Sequence, residues 1–150
     1  LVAALFIFAI LQLDYSGTLI RNSQNRAETE LEYAGLALAQ NMVDESRLKA
    51  FDEVWVGPYV PIFSPGELST IGKDAGETYP AYDDFDDYDN YTRTDTTKHG
   101  IYETTVQIDY MNPSDLRQTS TSKTYFKRMF VQVVSEMGDS VAVTFIRRYY

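Results

Sequence analysis

An α+β fold, a long N-terminal helix packed on a C-terminal antiparallel β-sheet head, is predicted by three observations. No proline occurs from Leu1 to Phe51, and the only glycines in that stretch are Gly17 and Gly35. Three prolines then fall close together at Pro58, Pro61 and Pro65. The last third of the chain carries strand-like segments separated by turn residues. The domain reading is a helical rod over residues 1–53, with an apolar tip at 1–13, and a β-rich globular head over 54–150.

The rod begins with an unbroken apolar run, Leu1 to Leu11. A helix that spans a bilayer needs about 20 apolar residues, and this run meets Gln12, Asp14 and Ser16 first. A secretory signal would carry basic residues ahead of the apolar stretch, yet the first basic residue is Arg21. The absence of an initiator Met suggests that a segment upstream has been removed. The expectation is a tip held in a membrane first and then buried against copies of itself.

Further along, Leu31, Ala34 or Gly35, Leu38 and Met42 recur at spacings of three and four, with Glu28, Glu30, Glu32, Asp44 and Glu45 between them. That half is amphipathic, and Leu31, Leu38 and Met42 are expected to hold the head to the rod. Between tip and amphipathic half, Ser16, Gly17, Thr18, Asn22, Ser23 and Asn25 lower helix propensity by a few tenths of a kcal/mol each, and Gly by roughly 1. Two readings stay open there: a melted stretch near residues 14–23, or a continuous helix that tolerates one glycine.

The prolines at 58, 61 and 65 exclude helix and central strand, because each fixes φ and lacks an N–H. Gly100 to Tyr110 alternates, with Tyr102, Thr104, Val106, Ile108 and Tyr110 on one face. Tyr125 to Ser135 and Val141 to Tyr150 follow, joined through Gly138 and Asp139 as a hairpin. A three-stranded antiparallel meander is the minimum, and the amphipathic helix is the natural cover for its apolar face.

With 44% hydrophobic and 14% aromatic residues, the chain has material for one globular core plus an appendage. Its net charge of −9 argues against nucleic acid as a partner. Zero cysteines exclude disulfides, zinc–thiolate sites and thiol nucleophiles.

The hydrophobic helix running into an amphipathic one and then a sheet, the stretch DDFDDYDNYTR from Asp83, and the strand texts IDYMNPSD, TYFKRMFVQVVS and VAVTFIRRYY together resemble the type IV pilin and pseudopilin superfamily. The resemblance covers most of the chain. It implies a prepilin that is processed and then polymerised through its N-terminal helix. Members carry a glutamate at the fifth position of the mature chain, thought to pair with the N-terminal amine of a neighbour; Leu5 stands there in this sequence. An apolar residue is tolerable at that place, because a carboxylate buried in a filament core needs a partner to offset its desolvation.

Tyr79, Tyr82, Phe85, Tyr88 and Tyr91 place an aromatic ring at every third position, with aspartates between. One reading is a surface loop whose rings pack on the head or on the next subunit. The other is a calcium site at Asp84, Asp86, Asp87 and Asp89, since hard oxygen ligands in a short segment suit that ion; no cofactor besides calcium is expected. Asn90-Tyr91-Thr92 is a glycosylation acceptor pattern. Arg147 and Arg148 either meet an acidic neighbour or face solvent. His99 has no Cys or second His to share a metal with and reads as a loop residue. No nucleophile, base and orienting acid occur in recognisable context, so no enzyme is expected.

The expected function is therefore structural: a subunit of an extracellular, type IV pilus-like helical filament, inserted in the inner membrane before assembly and handled by pilus or secretion machinery. Leu1, Val2, Leu5, Phe6, Phe8, Ile10 and Leu11 are the candidate filament core. Burying the whole tip, residues 1–13, would contribute on the order of 10 kcal/mol per subunit at about 25 cal/mol per Å², before association costs. The competing readings are a membrane-anchored surface binding module that never polymerises, and a minor or pseudopilin subunit.

Overall fold

The computed structural model describes residues 2–56, 62 and 64–149, with the side chains of 2–11, 13, 14 and 27 outside that description. Among the described residues, one helix, α1 (Val2–Arg47), is followed by three short 3₁₀ turns, at Glu53–Trp55, Pro65–Glu67 and Asp86–Tyr88. Five strands follow: β1 (Thr92–Thr97), β2 (Gly100–Asn112), β3 (Asp115–Thr119), β4 (Phe126–Ser135) and β5 (Ser140–Arg148). The architecture is α+β.

The sheet is antiparallel throughout, in the order β1-β2-β4-β5, with β3 paired to the far end of β2. Val106 of β2 stands opposite Val131 of β4, which stands opposite Val143 of β5. Alternation then sends Tyr102, Thr104, Val106, Ile108 and Tyr110 to the buried face, as the period of two requires. Ala39, Met42 and Val43 of α1 close the core over Val106, Ile108, Met129, Val131 and Val133, with Leu31, Ala34 and Leu38 packed at its margin. A second, smaller cluster joins Phe51, Ile62, Leu68 and Tyr110.

The helix is continuous through residues 14–23, so the melted alternative does not hold. Gly17 costs roughly 1 kcal/mol relative to Ala, and the runs on either side carry the ladder across it. Arg147 of β5 caps the end of the helix, donating to Ser46 O in its last turn at 3.3 Å and, just beyond it, to Lys49 O at 2.8 Å and Ala50 O at 3.0 Å. A cation at a helix C-terminus also opposes the negative end of the macrodipole.

β1 and β3 were not anticipated. In Thr92–Thr97 β-branched threonines alternate with half-buried Arg93 and Asp95, and a tight turn at Lys98–His99 returns the chain into β2.

Membrane insertion before assembly requires correction. Among the described residues no helix is long and apolar enough to cross a membrane. The physical reason lies in the sequence: Gln12 and Asp14 stop the apolar run after eleven residues, about half the length a span needs. The inner membrane as an early partner, and the cell-surface placement built on it, are not supported.

Candidate functional site

The most elaborate part of the head is the acidic turn, and its aspartates fold it. Asp84 Oδ1 accepts from the backbone N–H of Asp86 at 2.7 Å and of Asp87 at 3.1 Å. Asp87 Oδ2 in turn accepts from the N–H groups of Asp83 and Asp84, both at 3.0 Å. Short acidic side chains favour such local bonds over regular structure. Asp89 Oδ1 accepts from Ile108 N at 2.8 Å, which pins the turn to β2. Burial, then Asp86 and Asp87, push Asp84 up to about 8.

The aromatic residues point the other way, into the head. Phe85 and Tyr88 are fully buried and Tyr82 nearly so. Tyr79, Tyr82, Tyr88 and Tyr91 form a mutually tilted or edge-on ring cluster around the 3₁₀ turn at Asp86–Tyr88. Two hydroxyls converge on the helix: Tyr88 donates to Glu45 Oε1 at 2.8 Å and Tyr79 to Glu45 Oε2 at 3.2 Å. Burial and the Glu45 carboxylate push the Tyr88 phenol well above its ordinary range.

This geometry does not gather Asp84, Asp86, Asp87 and Asp89 around one point. Two bond their own turn, one bonds β2, and Asp86 faces a lysine. The acidic oxygens that do converge, among the described residues, belong to Glu53, Glu77 and Asp83, which lie within 4.8 Å of one another. Burial, followed by Asp83, Asp74 and Glu77, raises Glu53 to about 7. Burial and neighbouring like charges raise a carboxyl in this way without identifying any ligand.

Beneath the turn lies a group that the sequence reading missed. Lys127, fully buried, donates to Asp52 Oδ2 at 2.6 Å, to Phe51 O at 3.1 Å, and to Asp86 Oδ1. The Phe51 and Tyr110 ring centroids lie 4.8 and 5.6 Å from its ammonium. Asp52 Oδ1 accepts from Ser69 N at 2.8 Å and Val54 N at 3.4 Å, and Ser69 Oγ donates to Asp86 Oδ2 at 3.2 Å. Burial pushes Asp86 up to about 6 against the opposing pull of Lys127. The signal was present in the strand itself. In β4 the buried positions alternate as Lys127, Met129, Val131 and Val133, so a lysine occupies the apolar face.

The other candidate residues fall in separate places. Met42 lies in the core, and Leu31 and Leu38 pack against it. Leu1, Val2, Leu5, Phe6, Phe8, Ile10 and Leu11 have side chains outside the described residues. Beyond them, every described side chain from Gln12 to Glu30 is exposed, including Tyr15, Leu19 and Ile20. Asn90 is exposed at a left-handed turn with φ of 58°. His99 sits in the β1–β2 turn, its backbone N–H bonded to Thr97 Oγ1 at 3.0 Å. Arg147 is turned inward onto the helix end, and Arg148 lies over the Phe126 ring. Comparison of the chain with protein-family models, curated proteins and solved structures finds no significant match.

Proposed function

We propose that the chain is a structural subunit of a type IV pilus-like helical filament, polymerising through the N-terminal half of α1. One observation carries this reading. A single 46-residue helix is divided between two environments: residues 31–46 lie on the sheet, and the described side chains before them are exposed. At 1.5 Å per residue the helix is about 69 Å long, far longer than the head needs.

Long helices draw most of their stability from packing an apolar face. The exposed half carries Tyr15 at 67%, Leu19 at 51% and Ile20 at 60% exposure, and it continues the apolar run at residues 1–11. Copies of the same helix, staggered along a filament axis, are the partner whose apolar surface matches in kind. The head would then form the outer layer. A minor or pseudopilin subunit would use the same contacts at lower copy number.

Negative-stain electron microscopy of particulate material from producing cells, with mass spectrometry of its composition, tests the proposal. Uniform filaments built mainly of this chain support it. Recovery of the chain solely as a monomer contradicts it.

A further inference from the structure

We propose that Lys127 and Asp86 become joined by an intramolecular amide bond, formed by condensation of their side chains in the buried pocket, with Asp52 shuttling the proton. The reacting groups are already in place. Lys127 Nζ is in direct contact with Asp86 Oδ1, and the same nitrogen lies 2.6 Å from Asp52 Oδ2. Holding a nucleophile and an electrophile together in this manner replaces an encounter in solution by a very high effective concentration. All three side chains are essentially without exposure, so solvent water does not compete for the carboxyl carbon.

The two carboxyl groups are held differently, which assigns their roles. Asp52 receives two backbone N–H donors in addition to Lys127, and these fix the orientation of its carboxylate beside the amine. Asp86 accepts at its second oxygen from the Ser69 hydroxyl. That hydroxyl is positioned to stabilise negative charge developing on Oδ2 as the carbon is attacked. Burial pushes the Asp86 carboxyl up to about 6, toward the neutral acid that the attack requires.

The reaction balances without a co-reactant. A proton passes from the Lys127 ammonium to the Asp86 carboxylate, leaving an amine and a neutral acid. The nitrogen lone pair attacks Asp86 Cγ and forms the N–C bond. Asp52 takes a proton from that nitrogen and delivers it to the Asp86 hydroxyl, the C–O bond breaks, and one water leaves. Asp52 ends as the carboxylate it began. The product ties the acidic turn to β4 across 41 residues of chain and removes two charges from the core. It also gives a use to a lysine on the apolar face of a strand. The bond forms within one subunit, so it holds whether or not the chain polymerises.

Intact mass spectrometry of the folded, full chain under denaturing conditions is the test. The expected mass is lower than that of the sequence by one water, about 18 Da. Trypsin should fail to cut after Lys127 and should yield a branched product joining residues 74–93 to residues 124–128. Lys127→Arg should run at its full sequence mass, and Asp52→Asn should retain the full mass far longer than the parent. Should either variant fail to fold, the digest of the unmodified sequence decides alone. Full mass with linear peptides cut after Lys127, or a lost water mapped to any other residue pair, overturns the proposal and leaves a plain buried ion pair.

Discussion

Gly35 of α1 lies so close to Val141 of β5 that a Cβ built on it would stand 2.9 Å from Val141 Cγ2. The helix reaches this proximity at the point where it begins to rest on the sheet, beside the bond from the Tyr102 hydroxyl to Leu31 O at 3.2 Å. Gly35→Val should therefore destabilise the head by about 1–3 kcal/mol through overpacking. Gly17 has nothing within 4 Å, so Gly17→Ala should raise helix stability by roughly 1 kcal/mol. Urea unfolding and amide hydrogen exchange separate the two effects; equal behaviour of the two glycines would contradict the difference in packing.

Met42 is 1% exposed and lies at the middle of the helix–sheet core. Met42→Ala should cost about 2–5 kcal/mol. Leu48, just past the end of the helix and 87% exposed, should tolerate alanine within about 0.5 kcal/mol. Chemical denaturation of the two variants makes the comparison.

Much of this fold was legible in residue patterns. The proline-free stretch and the spacing of Leu31, Leu38 and Met42 located the packing half of the helix, and alternation in β2 located its buried face. Patterns of that kind report which side of an element is apolar. The network around Lys127 depends instead on which loop folds over that face, and Asp52 and Asp86 approach it from 75 and 41 residues away. Spacing likewise suggested a shared ligand for the four aspartates, when each had a backbone or lysine partner set by the turn's own path. β1 was hidden because its threonines and charges lack an apolar face.

Glu53 gives a pH dependence of definite sign. Its carboxyl is raised from 4.5 to about 7 in the fold by burial and by Asp83, Asp74, Glu77 and Asp87. The folded state thus holds its proton more tightly than the unfolded chain. The resulting stabilisation is complete below about 4.5 and is lost as pH rises through about 7. Glu53→Gln should raise the melting temperature at pH 8 and leave it nearly unchanged at pH 4. Asp84, shifted in the same direction, is retained in both proteins, so the difference between their pH profiles isolates Glu53.

Arg147 closes the helix from the edge strand, with three carbonyl oxygens served by one guanidinium. Arg147→Ala leaves those carbonyls without it and removes the cation from the helix end, and should cost about 2–3 kcal/mol. Arg147→Lys should recover only part, since an ammonium lacks the planar fork. Thermal unfolding of both variants checks the order.

Assembly through the exposed half of α1 is tested most directly at Ile20, which is 60% exposed and takes no part in the head's core. Filament yield by electron microscopy should be compared for the parent, Ile20→Glu and Phe8→Asp, alongside the unfolding curve of each purified subunit. Loss of filaments with head stability unchanged within about 0.5 kcal/mol is the expected result. Filaments that persist in both variants at the parent's yield would contradict polymerisation through this helix.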